Sequence, residues 1–191
     1  MNKKALTTYA NFLAKLTDKQ FSKEHKEFFI SEMILAAQEL AYASLGLIYS
    51  NLVLEAESQD YGACSFDLGQ KHIKFRVAKI TPTKVGQFVT FWKRIGDGPI
   101  MPYDVSDDFD FLIVSVRDSA SLGQFIFPKD VLWQNGLLSK DRQGGKRAMR
   151  VYPAWNVTES VQARKTQAWQ LLYFVEIKPV LDKVKIQKLF L

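Results

Sequence analysis

Ala63-Cys64-Ser65-Phe66 and Ile73-Lys74-Phe75-Arg76-Val77-Ala78-Lys79-Ile80, joined across Asp67-Leu68-Gly69-Gln70, read as two strands and a turn. Alternation along 73–80 sends Lys74, Arg76 and Ala78 to one face and Phe75, Val77 and Lys79 to the other. Thr81-Pro82 ends the second strand, because proline donates nothing to a ladder. Working outward, residues 87–93, 109–116 and 124–127 read as further strands. Phe109-Asp110-Phe111-Leu112-Ile113-Val114 is nearly all apolar, as suits a central strand covered on both faces.

Pro128-Lys129-Asp130 opens a short helix that Asn135-Gly136 stops. A polar loop over 139–146, with Gly144-Gly145, leads to a strand over 148–152. Thr158 is expected to cap a helix with Val161, Ala168, Trp169, Leu172 and Tyr173 on one face. Pro179 begins a last helix through Leu181, Val184 and Leu189. At the other end, Leu6, Tyr9, Phe12, Leu13 and Leu16 space a helix over 3–16. Thr17-Asp18-Lys19-Gln20 makes a capping box for a second, with Ser22 competing. That helix runs through Phe28, Phe29, Met33, Ile34 and Ala37 to about Ser44, and Gly46 stops it. The expected class is α/β or α+β, a mixed central sheet of five to six strands flanked by helices. Residues 1–45 are expected to form a helical extension packed on the core, and 46–191 a single domain.

With 191 residues, 47% apolar and 13% aromatic, the chain can bury a sizeable core and does not read as disordered or fibrous. No apolar run approaches the roughly 20 residues of a membrane span. A soluble, cytoplasmic protein with no membrane partner is expected. The single Cys64 excludes an intramolecular disulfide and a cysteine-built zinc site, and reads as a packed core thiol. The net charge of +6 is unevenly placed. Residues 74–94 carry six cations (Lys74, Arg76, Lys79, Lys84, Lys93, Arg94) and no acid. Residues 140–150 carry Lys140, Arg142, Lys146, Arg147 and Arg150 against Asp141. Between them lie Asp97, Asp104, Asp107, Asp108, Asp110 and Asp118. The basic segments are expected to meet on one face of the sheet.

Four stretches resemble the MepB family. They are Phe75-Arg76-x-Ala78-Lys79-Ile80-Thr81-Pro82-Thr83-Lys84-x-Gly86-Gln87-Phe88-Val89-x-x-Trp92-Lys93-Arg94, Gly123-Gln124-Phe125-Ile126-Phe127-Pro128-Lys129, Gly145-Lys146-Arg147-Ala148-x-Arg150-Val151-Tyr152-Pro153-x-Trp155, and Thr166-Gln167-x-Trp169-Gln170. The resemblance covers roughly residues 45–175. It implies a restriction-endonuclease-like fold and an association with a multidrug efflux operon, and it brings no assigned reaction.

A nuclease of that fold sets one Asp against an acidic-x-Lys element, so that two carboxylates hold Mg²⁺ beside the lysine. Here Asp67 precedes Val77-Ala78-Lys79, and Val77 stands where the second carboxylate belongs. Glu55 or Glu57 would have to substitute. Catalysis is therefore not expected, and no metal or cofactor is implied. His72, beside Lys71 and Lys74, is a poor base. The Asp-rich loop at 104–110 lacks the glycine and terminal Glu of a calcium loop, and no nucleotide-binding fingerprint occurs.

The leading expectation is a nucleic-acid or other polyanion-binding module. Its candidate contacts are Arg76, Lys79, Thr81, Lys84, Gln87, Trp92, Lys93, Lys129, Lys146, Arg147, Arg150, Tyr152 and Trp155, cations for phosphates and aromatics for bases. The alternative is a small-molecule-binding modulator of drug resistance or efflux, lined by Tyr61, Thr81, Thr83, Gln87, Lys129 and Tyr152. A metal-dependent nuclease ranks third. Arg76 is expected to form a bidentate pair with Glu55, Glu57 or Asp67, while Lys79 faces an open cleft with Lys84 and Arg150. Oligomeric state is not legible.

Overall fold

The computed structural model describes residues 34–35, 37–178 and 180–190. The expected helix over 3–16, the start of the second helix and Pro179 lie outside them. Helical turns at 34–35 and 37–45 end in a 3₁₀ turn, Ala43–Leu45, which Gly46 stops at φ +72° as expected.

The chain then builds a six-stranded sheet from β1 (Tyr49–Leu54), β2 (Cys64–Leu68), β3 (Lys71–Val77), β8 (Phe111–Arg117), β9 (Leu122–Pro128) and β13 (Phe174–Glu176), in that spatial order. Only β3 and β8 run parallel, so the sheet is mixed and the class is α+β. The apolar run of β8 lies at its centre, with six successive residues buried.

The expected strand over 73–80 is two strands. The Ala78 N–H donates to Ser115 O and closes the parallel ladder. The chain then leaves the sheet, and β4 (Lys79–Thr81) pairs with β5 (Lys84–Thr90) instead. The alternation slips once, at Val77-Ala78, where two apolar residues follow one another, and the transfer falls at that slip. β12 (Ala148–Val151) completes a second sheet of order β12-β5-β4. Two strand pairs are short, β6 (Trp92–Lys93) with β7 (Met101–Pro102) and β10 (Ser139–Lys140) with β11 (Gln143–Gly144). The latter replaces the polar loop expected over 139–146.

Helices α1 (Lys129–Gln134), α2 (Val161–Gln170) and α3 (Lys183–Phe190) finish the fold. The α2 cap is Ser160, whose Oγ accepts the Ala163 N–H. Thr158, the expected cap, donates its hydroxyl to Gln167 Oε1 instead. The main sheet is covered on both faces. On one, Phe75, Ile113 and Ile126 pack with Tyr42, Ile186 and Phe190. On the other, Val114, Phe125 and Phe127 pack with Val89, Phe91, Met149 and Val151. The small sheet is thus pressed onto the large one by its inner residues.

Candidate functional site

The outer face of the small sheet is where the basic segments meet. Pairing sets Lys79 opposite Phe88, and Phe88 opposite Arg150, so the three are cross-strand neighbours on one face. Lys79 Nζ stands 4.7 Å from the Tyr61 ring centroid. Tyr61 meets Phe88 edge-on at 6.1 Å. The Arg150 guanidinium lies 5.9 Å from the Phe88 centroid. The result is a cation–aromatic–aromatic–cation row. Arg150 Nη1 donates to the carbonyls of Lys84, Val85 and Gly86, at 3.2, 3.4 and 3.0 Å, which fixes its head at the β4–β5 turn. Lys84 is exposed beside it, and Lys146 and Arg147 are exposed ahead of β12.

Several expected contacts are elsewhere. Gln87 alternates inward. It is 2% exposed and donates to Arg117 O at 2.8 Å, tying the small sheet to β8. Arg76 is fully buried. Its Nη2 donates to Glu55 Oε2 at 2.5 Å and its Nη1 to Phe75 O at 2.8 Å. The pair is not bidentate, because Lys74 Nζ holds Glu55 Oε1 at 2.8 Å. Tyr103 Oη lies 3.4 Å from both Arg76 Nη2 and Glu55 Oε2, and burial pushes its hydroxyl up to about 12. Burial pushes the nearby Cys64 thiol up to about 12 as well. Two cations on one carboxylate, with aromatics around them, cement the interior, and Arg76 itself is out of reach of a ligand outside.

Lys93 pairs with Asp107, and Arg94 with Glu57 at 2.9 Å. Lys129 donates to Asp107 O and lies over the Phe109 ring. Trp155 packs, half-buried, on Phe174, and Trp92 sits half-buried under Arg94. The Thr81 hydroxyl is buried without a partner. Asp107 of the acidic segment and Glu57 from upstream thus neutralise one end of the basic run, a pairing that needs the tertiary fold and leaves no mark in local sequence.

Asp67 accepts from His72 Nδ1 at 2.6 Å and from Asn51 Nδ2 at 2.6 Å, beside the β2–β3 turn. From His72 to the end of β3 is about 16 Å of strand. Lys79 then lies in the other sheet. Asp67 and Lys79 therefore do not face a shared metal position. Among the described residues no three His, Cys, Asp or Glu side chains group to hold a metal ion. The Asp-rich loop bonds to its own chain: Asp107 accepts the Asp104 N–H, and Asp110 the His72 N–H.

A groove of about 550 Å³ runs between β12, the β4–β5 turn and α2. Of the lining expected for a small molecule, only Tyr152 belongs to it. Phe88, Trp169 and Gln170 were not expected as site residues; alternation alone does not tell which face of an amphipathic strand is open, and nothing local marks a helix end as a groove wall.

The fold and this surface define an α+β protein with a basic, aromatic-studded outer sheet and no helix, among the described residues, long and apolar enough to cross a membrane. The chain belongs to the MepB-like family, whose model matches residues 55–176. It is similar to the crystal structure of MepB at 37% identity and a TM-score of 0.65, over 67% of this chain and 86% of that one. It also matches the structure of a bacterial homing endonuclease at 15% identity and a TM-score of 0.46, over 80% of this chain and 94% of that one. No curated protein matches it.

Proposed function

We propose that this MepB-like protein binds single-stranded nucleic acid, or a similar polyanion, on the outer face of its small sheet, without catalysing a reaction on it. The observation that carries the reading is the row Lys79, Tyr61, Phe88 and Arg150, with Lys84 at its edge. Cations spaced by ring faces suit phosphates spaced by bases, and ring stacking tolerates any base. Arg150 arrives already fixed by three carbonyls, so little of its side-chain freedom is lost on binding.

Anisotropy titrations with single-stranded DNA and RNA oligonucleotides test this. Three or four phosphate contacts predict an affinity falling about 20- to 50-fold between 50 and 200 mM salt, at a slope of about −0.7 per contact. Lys79→Ala is expected to flatten that slope by about 0.7. Tyr61→Ala is expected to weaken binding while leaving the slope alone. Salt-independent binding, or equal binding by a Lys79→Ala, Lys84→Ala double variant, overturns the reading.

A further inference from the structure

We infer that the groove along the open edge of β12 binds an extended acidic peptide by strand addition. In an antiparallel ladder every second residue turns its N–H and C=O away from the partner. The Phe91 N–H donates to Arg147 O, which makes Thr90–Ala148 and Phe88–Arg150 the non-hydrogen-bonded pairs. The backbone groups of Ala148 and Arg150 therefore face the groove.

Part of this edge is already paired, and by an amide. Gln170 is 1% exposed; its Nε2 donates to Arg150 O at 3.0 Å and its Oε1 accepts the Tyr152 N–H at 2.9 Å. That side chain stands where a neighbouring strand's peptide group would be. Ahead of it the Arg150 N–H and both polar groups of Ala148 line the groove, a donor beside an acceptor at peptide spacing. A peptide backbone answers both. A phosphate chain offers acceptors only and leaves the Ala148 carbonyl unanswered. The free edge from Ala148 to Arg150 faces about three residues of an extended chain at roughly 3.3 Å each, in a groove of about 550 Å³. Charge selects the side chains: Lys84, Lys146 and Arg150 line it against Glu159. Trp169 supplies an apolar wall, so alternating acidic and apolar residues fit best.

The test titrates the full chain with a dye-labelled, end-blocked hexapeptide alternating Glu and Val. Controls are the same peptide N-methylated at every residue and one with Lys for Glu. Saturable binding is expected, falling at least tenfold with either control. Ala148→Pro removes an edge donor and leaves the ladder to β5 whole, so it is expected to abolish peptide binding and to keep oligonucleotide binding on the outer face. Should Ala148→Pro not fold, the N-methylated peptide decides alone. Equal binding of the methylated peptide, or no saturable binding of the acidic one, overturns the inference. Loss of oligonucleotide and peptide binding together in folded Ala148→Pro also overturns it, and assigns the groove to nucleic acid.

Discussion

Among the described residues, Arg76 is the cation whose side chain is fully buried. Its guanidinium is wholly inside, 5.7 Å from the Phe91 centroid, and Glu55 is the carboxylate that answers it. Breaking a buried pair from one side leaves the other charge stranded, which costs about 3–5 kcal/mol. Arg76→Met is expected to lose about that much in urea denaturation, with Glu55→Gln comparable. The double variant should cost less than the sum, since the two share one interaction. A loss below about 1 kcal/mol for Arg76→Met would mean that water reaches the pair. Asp104 gives a second test at this scale. The Ser139 hydroxyl, then the Ser106 N–H, hold its carboxyl down to about 2. An unfolded Asp titrates near about 3.9, so this contribution is complete above that pH and is lost as pH falls through about 2. Ser139→Ala removes the largest cause. A carboxyl NMR titration should then move Asp104 upward, and an unmoved midpoint would refute the assignment.

Among the elements, those resting on local pattern were legible and those resting on distant partners were not. The run ending at Val114 announced a central strand, and Pro128 with Asn135-Gly136 bracketed α1. β1 leaves no periodic mark, because Tyr49-Ser50-Asn51-Leu52-Val53-Leu54 has no alternation. Asn51 takes φ +53° where the register with β2 slips between Ser50 and Val53. β13 is not legible either, because three residues directly after a helical turn carry no period. Of the candidate site, Lys79, Lys84 and Arg150 were legible as a basic group. The pairing of Arg76 with an upstream carboxylate is legible too, and Glu55 is that carboxylate, held through one oxygen rather than two; the removal of Gln87 to the interior is not, since it depends on what β5 packs against. Gly86, near the start of β5, is a sensitive position. Gly86 sits at φ +82°, and a Cβ there would lie 2.6 Å from the Tyr152 ring and 2.8 Å from Val151 O. Gly86→Ala is therefore expected to cost about 1–3 kcal/mol and to loosen the β5–β12 pairing. Hydrogen exchange at β5 and β12 would report it; unchanged protection there would show that the sheet tolerates the crowding.

At the scale of the molecule, the family match at 55–176 stops short of both elements that cover one face of the main sheet. The helical turns at 34–35 and 37–45 and helix α3 lie on either side of it in sequence and meet over the sheet, where Tyr42 and Phe190 contact edge-on at 5.8 Å. Ile34, Ala37, Ala41 and Tyr42 are each at most 4% exposed within the core that includes Phe75 and Ile113. The Tyr42 hydroxyl donates to buried Gln124, which in turn donates to Ser115 at 2.9 Å, so the segment is bonded through the sheet as well as packed on it. Tyr42 alone buries roughly 150–250 Å², an upper estimate of about 4–6 kcal/mol. Removing residues 1–45 would strip this cover and open the buried side of β3 and β8 to water. Comparing chains that begin at residues 34 and 46 isolates the effect. The longer should melt in one cooperative step. The shorter should bind a hydrophobic dye and lose its sharp transition, as a chain does when its sheet survives without fixed packing. Within the full chain, Tyr42→Ala and Phe190→Ala should each destabilise, and together cost less than their sum because the rings contact one another. A chain from residue 46 that melts within a few degrees of the longer one would show that α3 alone covers this face.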